Sequence, residues 1–147
     1  MLANSKKLFV LLVACSAGNA VAAVSPDFNE GDWGVNYRME VVGMPFPMPP
    51  ITTKKTMCLT KNNYVPDTAQ QGQDCKVSDQ KVSGNTVTWA MHCQTKEGKV
   101  EGQGKITYKG ERYDGVMDAQ LISSANPDMP IRYKYTMDGQ RLGACSK

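Results

Sequence analysis

The chain has 147 residues, 41% of them apolar and 21% charged, with a formal charge of +3. That length suits one domain of roughly 100–200 residues and excludes a multidomain enzyme or a polytopic membrane protein. The apolar share lies close to the globular average of roughly 45–50%, which argues against a disordered tail. Two counts stand out, an odd five cysteines and nine methionines.

Residues 1–23 read as a signal peptide. Lys6 and Lys7 form a positive start, Leu8-Phe9-Val10-Leu11-Leu12-Val13-Ala14 is the apolar stretch, and Ala20-Val21-Ala22-Ala23 supplies small residues for cleavage. The apolar stretch is too short to span a bilayer, which takes about 20 residues. Cleavage after Ala22 or Ala23 leaves residues 24–147 as a single β domain. Losing Lys6 and Lys7 lowers the charge from +3 to +1, so no basic stripe remains to argue for nucleic acid. Leu12-Val13-Ala14-Cys15 also fits a lipoprotein box, in which Cys15 would carry the lipid. Both readings place the protein in the bacterial envelope, in the periplasm, either soluble or lipid-anchored.

Period-two alternation dominates the rest of the chain and predicts strands. Trp33, Val35, Tyr37 and Met39 alternate with Gly34, Asn36, Arg38 and Glu40, and this strand continues to Val42. Met44-Pro45-Phe46-Pro47-Met48-Pro49-Pro50 follows. Its prolines fix φ and remove backbone donors, so it reads as an extended loop. Such a preordered apolar segment suits either a contact surface or a plug over one barrel mouth. Residues 51–60 read as a second strand, and residues 61–74 as a polar connection in which Pro66 could open a helical turn.

Lys76 to Val82 and Thr86 to Cys93 flank Ser83-Gly84-Asn85, which predicts a hairpin with a three-residue loop. In that register Val77 faces Met91 and Cys75 faces Cys93, with Val87 and Trp89 on the same apolar side. Residues 99–109 form another strand, where Gly102 and Gly104 mark a bulge or a close backbone approach. Lys109-Gly110-Glu111 is a turn. Tyr113, Gly115, Met117, Ala119 and Leu121 share one face of the next strand. Ile131, Tyr133, Tyr135 and Met137 share one face of the last strand, before a turn at Asp138-Gly139 and a short closing segment from Arg141 to Cys145.

Cys58, Cys75, Cys93 and Cys145 form an even set in an exported chain, which reads as two disulfides. No C-x-x-C redox pair and no metal-type cysteine spacing occurs, and His92 is the sole histidine. The pairs 58–75 and 93–145 are the favoured reading, while the hairpin register, with Cys75 opposite Cys93, offers the rival.

Little in the chain points to catalysis. There is no G-x-S-x-G elbow and no phosphate loop, and His92 falls on a polar strand face. Met39, Met91, Met117 and Met137 fall on apolar faces, which leaves Met44 and Met48 as thioethers that packing does not explain and that could favour soft copper(I).

Gly31-x-Trp33, the Met44-to-Pro50 segment, Cys58-Leu59-Thr60, Cys75-Lys76 and Trp89-x3-Cys93 occur in this order. They are followed by Gly102-x-Gly104, Tyr108-x-Gly110, Tyr113-x-Gly115 and Gly139-x-Arg141-x-Gly143-x-Cys145. Together they resemble the bacterial domain-of-unknown-function 3617 family, from about Gly31 to Cys145. The resemblance implies a small exported envelope protein with paired cysteines, and it brings no activity and no catalytic residues.

The expected fold is all-β, an antiparallel meander of about seven or eight strands curled into a barrel or half-barrel and stapled by two disulfides. The expected role is non-enzymatic binding of an apolar small ligand or another envelope component, with Met44, Phe46, Met48, Trp33 and Trp89 as contact residues. An interior cavity lined by Trp33, Tyr37, Trp89, Tyr113 and Tyr135 would favour the ligand. The alternatives are a structural or interaction protein without a ligand, and a methionine-based copper binder. No resident cofactor or metal is expected.

Overall fold

The computed structural model describes residues 25–69 and 73–146. The expected signal segment and Cys15 lie outside the described residues. Seven strands form one antiparallel sheet: β1 (Gly31–Val42), β2 (Ile51–Leu59), β3 (Asp74–Ser83), β4 (Thr86–Gln94), β5 (Gly98–Tyr108), β6 (Arg112–Ser123) and β7 (Ile131–Gly143). Their order across the sheet is β2-β1-β7-β6-β5-β4-β3. This is the chain order closed into a ring, with β7 brought back against β1 and a single junction left open between β2 and β3. The sheet is therefore a half-barrel whose seam lies between those two strands.

The alternation in the sequence sorts side chains as expected. Trp33, Val35 and Tyr37 of β1 are buried, as are Val87, Trp89, Met91 and Cys93 of β4, and so are Tyr113, Met117 and Ala119 of β6 and Met137 of β7. One end of the half-barrel is closed by aromatic rings. Phe28 stacks on Tyr108 at 4.4 Å between centroids, Trp33 meets Tyr108 edge-on at 5.8 Å, and Tyr113 does so at 5.5 Å. Such pairs contribute about 0.5–1.5 kcal/mol beyond the area they bury. The Trp33 indole donates to the Asn29 carbonyl at 3.2 Å, and the Tyr108 hydroxyl donates to the Tyr64 carbonyl.

Two glycines allow this packing. A Cβ at Gly104 would run into the Trp89 ring, and a Cβ at Gly139 into the Tyr113 ring. Of the two readings of Gly102-x-Gly104, close approach is therefore the one observed, and the β4–β5 register runs without a shift. The same geometry corrects the expected turn at Asp138-Gly139. β7 runs straight through that pair, because Gly139 lies opposite Tyr113 and Asp138 accepts a hydrogen bond from the Asn36 amide at 2.7 Å.

Three further expectations are corrected. The described part of the 60–73 connection contains no helical turn. Its polar groups are satisfied instead by a local bridge between Thr60 and Asn63 and by contacts to the sheet. The β3–β4 hairpin has the expected register from Asp74↔Gln94 to Ser78↔Ala90, but shifts before Lys81↔Thr88. Asp79 sits there with φ of 51°. The residue assigned to a three-residue loop is absorbed by this bulge, and the turn is only Gly84-Asn85.

The disulfides are Cys58–Cys145 and Cys75–Cys93, with Cα separations of 5.3 and 3.9 Å. The favoured pairing 58–75 and 93–145 is thus wrong, and the hairpin register had named one of the right pairs. Partners are chosen by strand adjacency. Cys75 lies directly opposite Cys93, and Cys58 lies opposite Asp32, which itself lies opposite Gly143. Each bridge secures one of the two strands that border the seam.

Candidate functional site

The cavity lies away from the aromatic cluster, towards the other end of the sheet. Cross-strand neighbours there run Met39, Tyr135, Met117 in one row and Val41, Tyr133, Ala119 in the next. Between these rows and the 64–69 segment lies a cavity of two lobes, about 360 Å³ and about 180 Å³, which share Met39, Thr68 and Tyr135. The larger lobe is completed by Tyr37, Ile51, Thr53 and Lys55. The smaller reaches Met91, Met117, Val100, Leu121 and Tyr133, with Gln73, Thr95 and Glu97 at its margin.

The 64–69 segment is held to this interior by its own polar groups. The Tyr37 hydroxyl donates to the Asp67 carbonyl at 3.0 Å, and Lys55 donates to the Ala69 carbonyl at 2.9 Å. The Thr68 hydroxyl donates to the Met91 sulfur at 3.2 Å and lies 3.9 Å from that of Met117. Burial pushes the Tyr37 phenol far above its usual range, and the Asp67 carboxylate adds to the shift. Burial likewise raises Tyr135, with the neighbouring Tyr133 adding to it. These phenols stay neutral throughout the physiological range. The walls therefore combine thioethers, neutral phenols and aliphatic groups with the Thr53 and Thr68 hydroxyls, while the charged groups are Lys55, whose ammonium is engaged by the Ala69 carbonyl, and Glu97 at the margin. Such a lining suits a mainly apolar guest with few polar groups.

Of the five aromatic residues expected to line an interior, Tyr37 and Tyr135 do so. Trp33, Trp89 and Tyr113 are packed into the core instead. Met44, Phe46 and Met48 stand exposed on the β1–β2 loop, Phe46 at 58%. That loop does not line the interior; the 64–69 segment does so instead, through Thr68. Thr68 was not legible as a site residue, since it lies in a polar segment without periodicity. His92 is exposed, as expected. It borders a shallow depression of about 510 Å³ on the outward face, with Glu101, Gln103, Asp118 and Arg132. Among the described residues, the one close group of metal-type donors is Asp32 with Cys58 and Cys145. Both sulfurs there are spent in a disulfide, and Asp32 accepts from Ser146, so the group offers no thiolate.

A family model described as a protein of unknown function, DUF3617, matches residues 28–145. The chain belongs to the DUF3617 family. No curated protein matches it, and no solved structure matches it either. The DUF3617 match begins at Phe28, which stacks in the aromatic cluster, and ends at Cys145, which closes the long disulfide. The matched span therefore contains the whole sheet, both bridges and every residue lining the cavity. Among the described residues of this DUF3617 chain, no helix is long and apolar enough to cross a membrane.

Proposed function

We propose that this DUF3617 protein is a non-enzymatic binding module of the bacterial envelope that holds an apolar small molecule in its half-barrel. The observation that carries the reading is the two-lobed cavity, bounded by Met39, Met91, Met117, Tyr37 and Tyr135 beside a solidly packed aromatic end. Methionine is unbranched and polarisable, so it adapts to guests of varied shape. The neutral phenols offer a few hydrogen bonds to such a guest without placing a phenolate charge in the wall. Export to the periplasm accounts for the two disulfides, which form and persist in that compartment.

The test is titration with an uncharged apolar fluorophore, such as N-phenyl-1-naphthylamine, followed by native mass spectrometry of protein purified from its own cells. A saturable site on the folded protein is expected. Met39 borders both lobes, so Met39→Trp fills the shared wall and should weaken binding at least tenfold while circular dichroism and the disulfide count stay unchanged. Undiminished binding by folded M39W would refute the cavity as the site.

A further inference from the structure

We propose that the rim around the open end of the half-barrel is a docking surface for a phospholipid membrane with anionic headgroups. The ten large apolar residues most exposed among the described ones are not scattered. Seven of them, Val42, Met44, Phe46, Met48, Ile51, Met129 and Ile131, fall on the β1–β2 and β6–β7 connections or the strand ends beside them. Antiparallel pairing of β1 with β2 and β7 brings these connections to one end of the sheet, and it is the end where the cavity lies. Single exposed apolar side chains are ordinary on a soluble protein, but a continuous patch marks a contact.

The chemistry of the patch selects lipid. Pro45, Pro47, Pro49 and Pro50 deny the loop half of its backbone donors, so it makes a poor partner for another strand. Met44, Phe46 and Met48 alternate along it, each more than two-fifths exposed, a set of flexible and aromatic side chains that can enter an acyl boundary without fixed geometry. The segments that carry the patch, 38–55 and 125–134, hold Arg38, Lys54, Lys55, Arg132 and Lys134 against only Glu40 and Asp128. Arg38 and Glu40 pair with each other at 2.9 Å, and Lys55 donates to the Ala69 carbonyl in the cavity wall, which leaves Lys54, Arg132 and Lys134 against Asp128. Apolar residues at the tip with a surplus of cations behind them match the order of an anionic bilayer, acyl chains beneath negative headgroups. Ile51 belongs both to the rim and to the wall of the larger lobe, so a membrane met by the rim also meets the cavity mouth.

The experiment uses the full-length sequence expressed with Cys15→Ser, which removes any lipid anchor, and adds Phe46→Trp as a reporter. Trp33 and Trp89 are buried, so a new exposed indole is read by its emission shift. Vesicles of phosphatidylcholine with one-third phosphatidylglycerol should shift the emission to shorter wavelength and carry the protein down on sedimentation. Pure phosphatidylcholine should do so at least tenfold more weakly, and rising salt should reverse binding to the mixed vesicles. Separately, Met44→Asp with Met48→Asp should abolish sedimentation while uptake of the apolar fluorophore is retained. Failure to bind either vesicle, or binding unaffected by the two aspartates, would overturn the membrane surface. Fluorophore uptake is read in the same samples, so loss of the rim and loss of the cavity reading are distinguished.

Discussion

Tyr113 buries its hydroxyl with no hydrogen-bond partner, while Tyr108 beside it donates to the Tyr64 carbonyl. Burial drives both phenols far above their usual range. An unpaired buried hydroxyl costs its desolvation, about 1–3 kcal/mol, whereas a made hydrogen bond contributes about 1 kcal/mol net. The two phenylalanine substitutions should therefore move stability in opposite directions. In urea titrations, Tyr113→Phe is expected to gain about 1 kcal/mol and Tyr108→Phe to lose about as much. Equal losses would show that the Tyr113 hydroxyl has a role that packing does not explain. The Trp89 ring over Gly104 gives a third case at this scale. Gly104→Ala forces a methyl into that ring, so a loss of about 1–3 kcal/mol is expected from overpacking, with the unfolding slope unchanged.

At the scale of the strand, the two disulfides act on different terms. Cys75–Cys93 spans a sequence separation of 18 and Cys58–Cys145 one of 87. In the chain-entropy model these correspond to roughly 3 and 4.5 kcal/mol. Replacing Cys58 and Cys145 together by alanine should therefore cost more than replacing Cys75 and Cys93, measured as the change in urea midpoint. The tail beyond Cys145 adds a pH-dependent hold. Ser146 donates its hydroxyl, and its backbone N–H at 2.8 Å, to the Asp32 carboxylate, and these bonds, the hydroxyl first, keep Asp32 below the usual carboxylate range. A depressed folded pKa gives a contribution that is present above the unfolded value of about 3.9 and lost as pH falls through the folded one. The Ser146 amide resonance should then titrate below about pH 4, and Asp32→Asn should remove that titration. Strand alternation made most of the strands and most of the buried faces legible in the sequence, because period two is a local property, while the threonine-rich composition marked β2 and the Asp138-Gly139 pair hid the full length of β7. The Cys58–Cys145 bridge and the β1–β7 contact were not legible, because each depends on which distant strand lies alongside, whereas Cys75–Cys93 was offered by the hairpin register and the bulge at Asp79 was missed because the turn residues also fit a three-residue loop. For the site, the exposure of Met44 and Met48 was legible from what the apolar faces left over. Thr68 was hidden in an aperiodic segment, and the burial of Trp33 and Trp89 away from the cavity depends on how far the sheet curls.

For the whole molecule, the ring-like order with one open seam predicts a gradient of local stability. β7 and β6 have a hydrogen-bonded neighbour on both sides, as do β1, β5 and β4, whereas β2 and β3 each have one. Edge strands open at lower free energy than central ones, because opening breaks one ladder instead of two. Both edges are nevertheless tied covalently, β2 through Cys58 to the tail after β7 and β3 through Cys75 to β4. In the oxidised protein the tethers keep an opened edge close to its partner, so the difference in protection between edge and centre should be modest. Reduction removes the tethers while every backbone pairing remains available. Native-state hydrogen exchange followed strand by strand should then show the paired amides of β2 and β3 losing protection first, by at least tenfold relative to those of β6 and β7. Breaking only the long bridge with Cys58→Ala and Cys145→Ala should release β2 and leave β3 protected. Uniform loss across all seven strands on reduction would mean that the sheet opens as one unit and that the seam is no weaker than its centre.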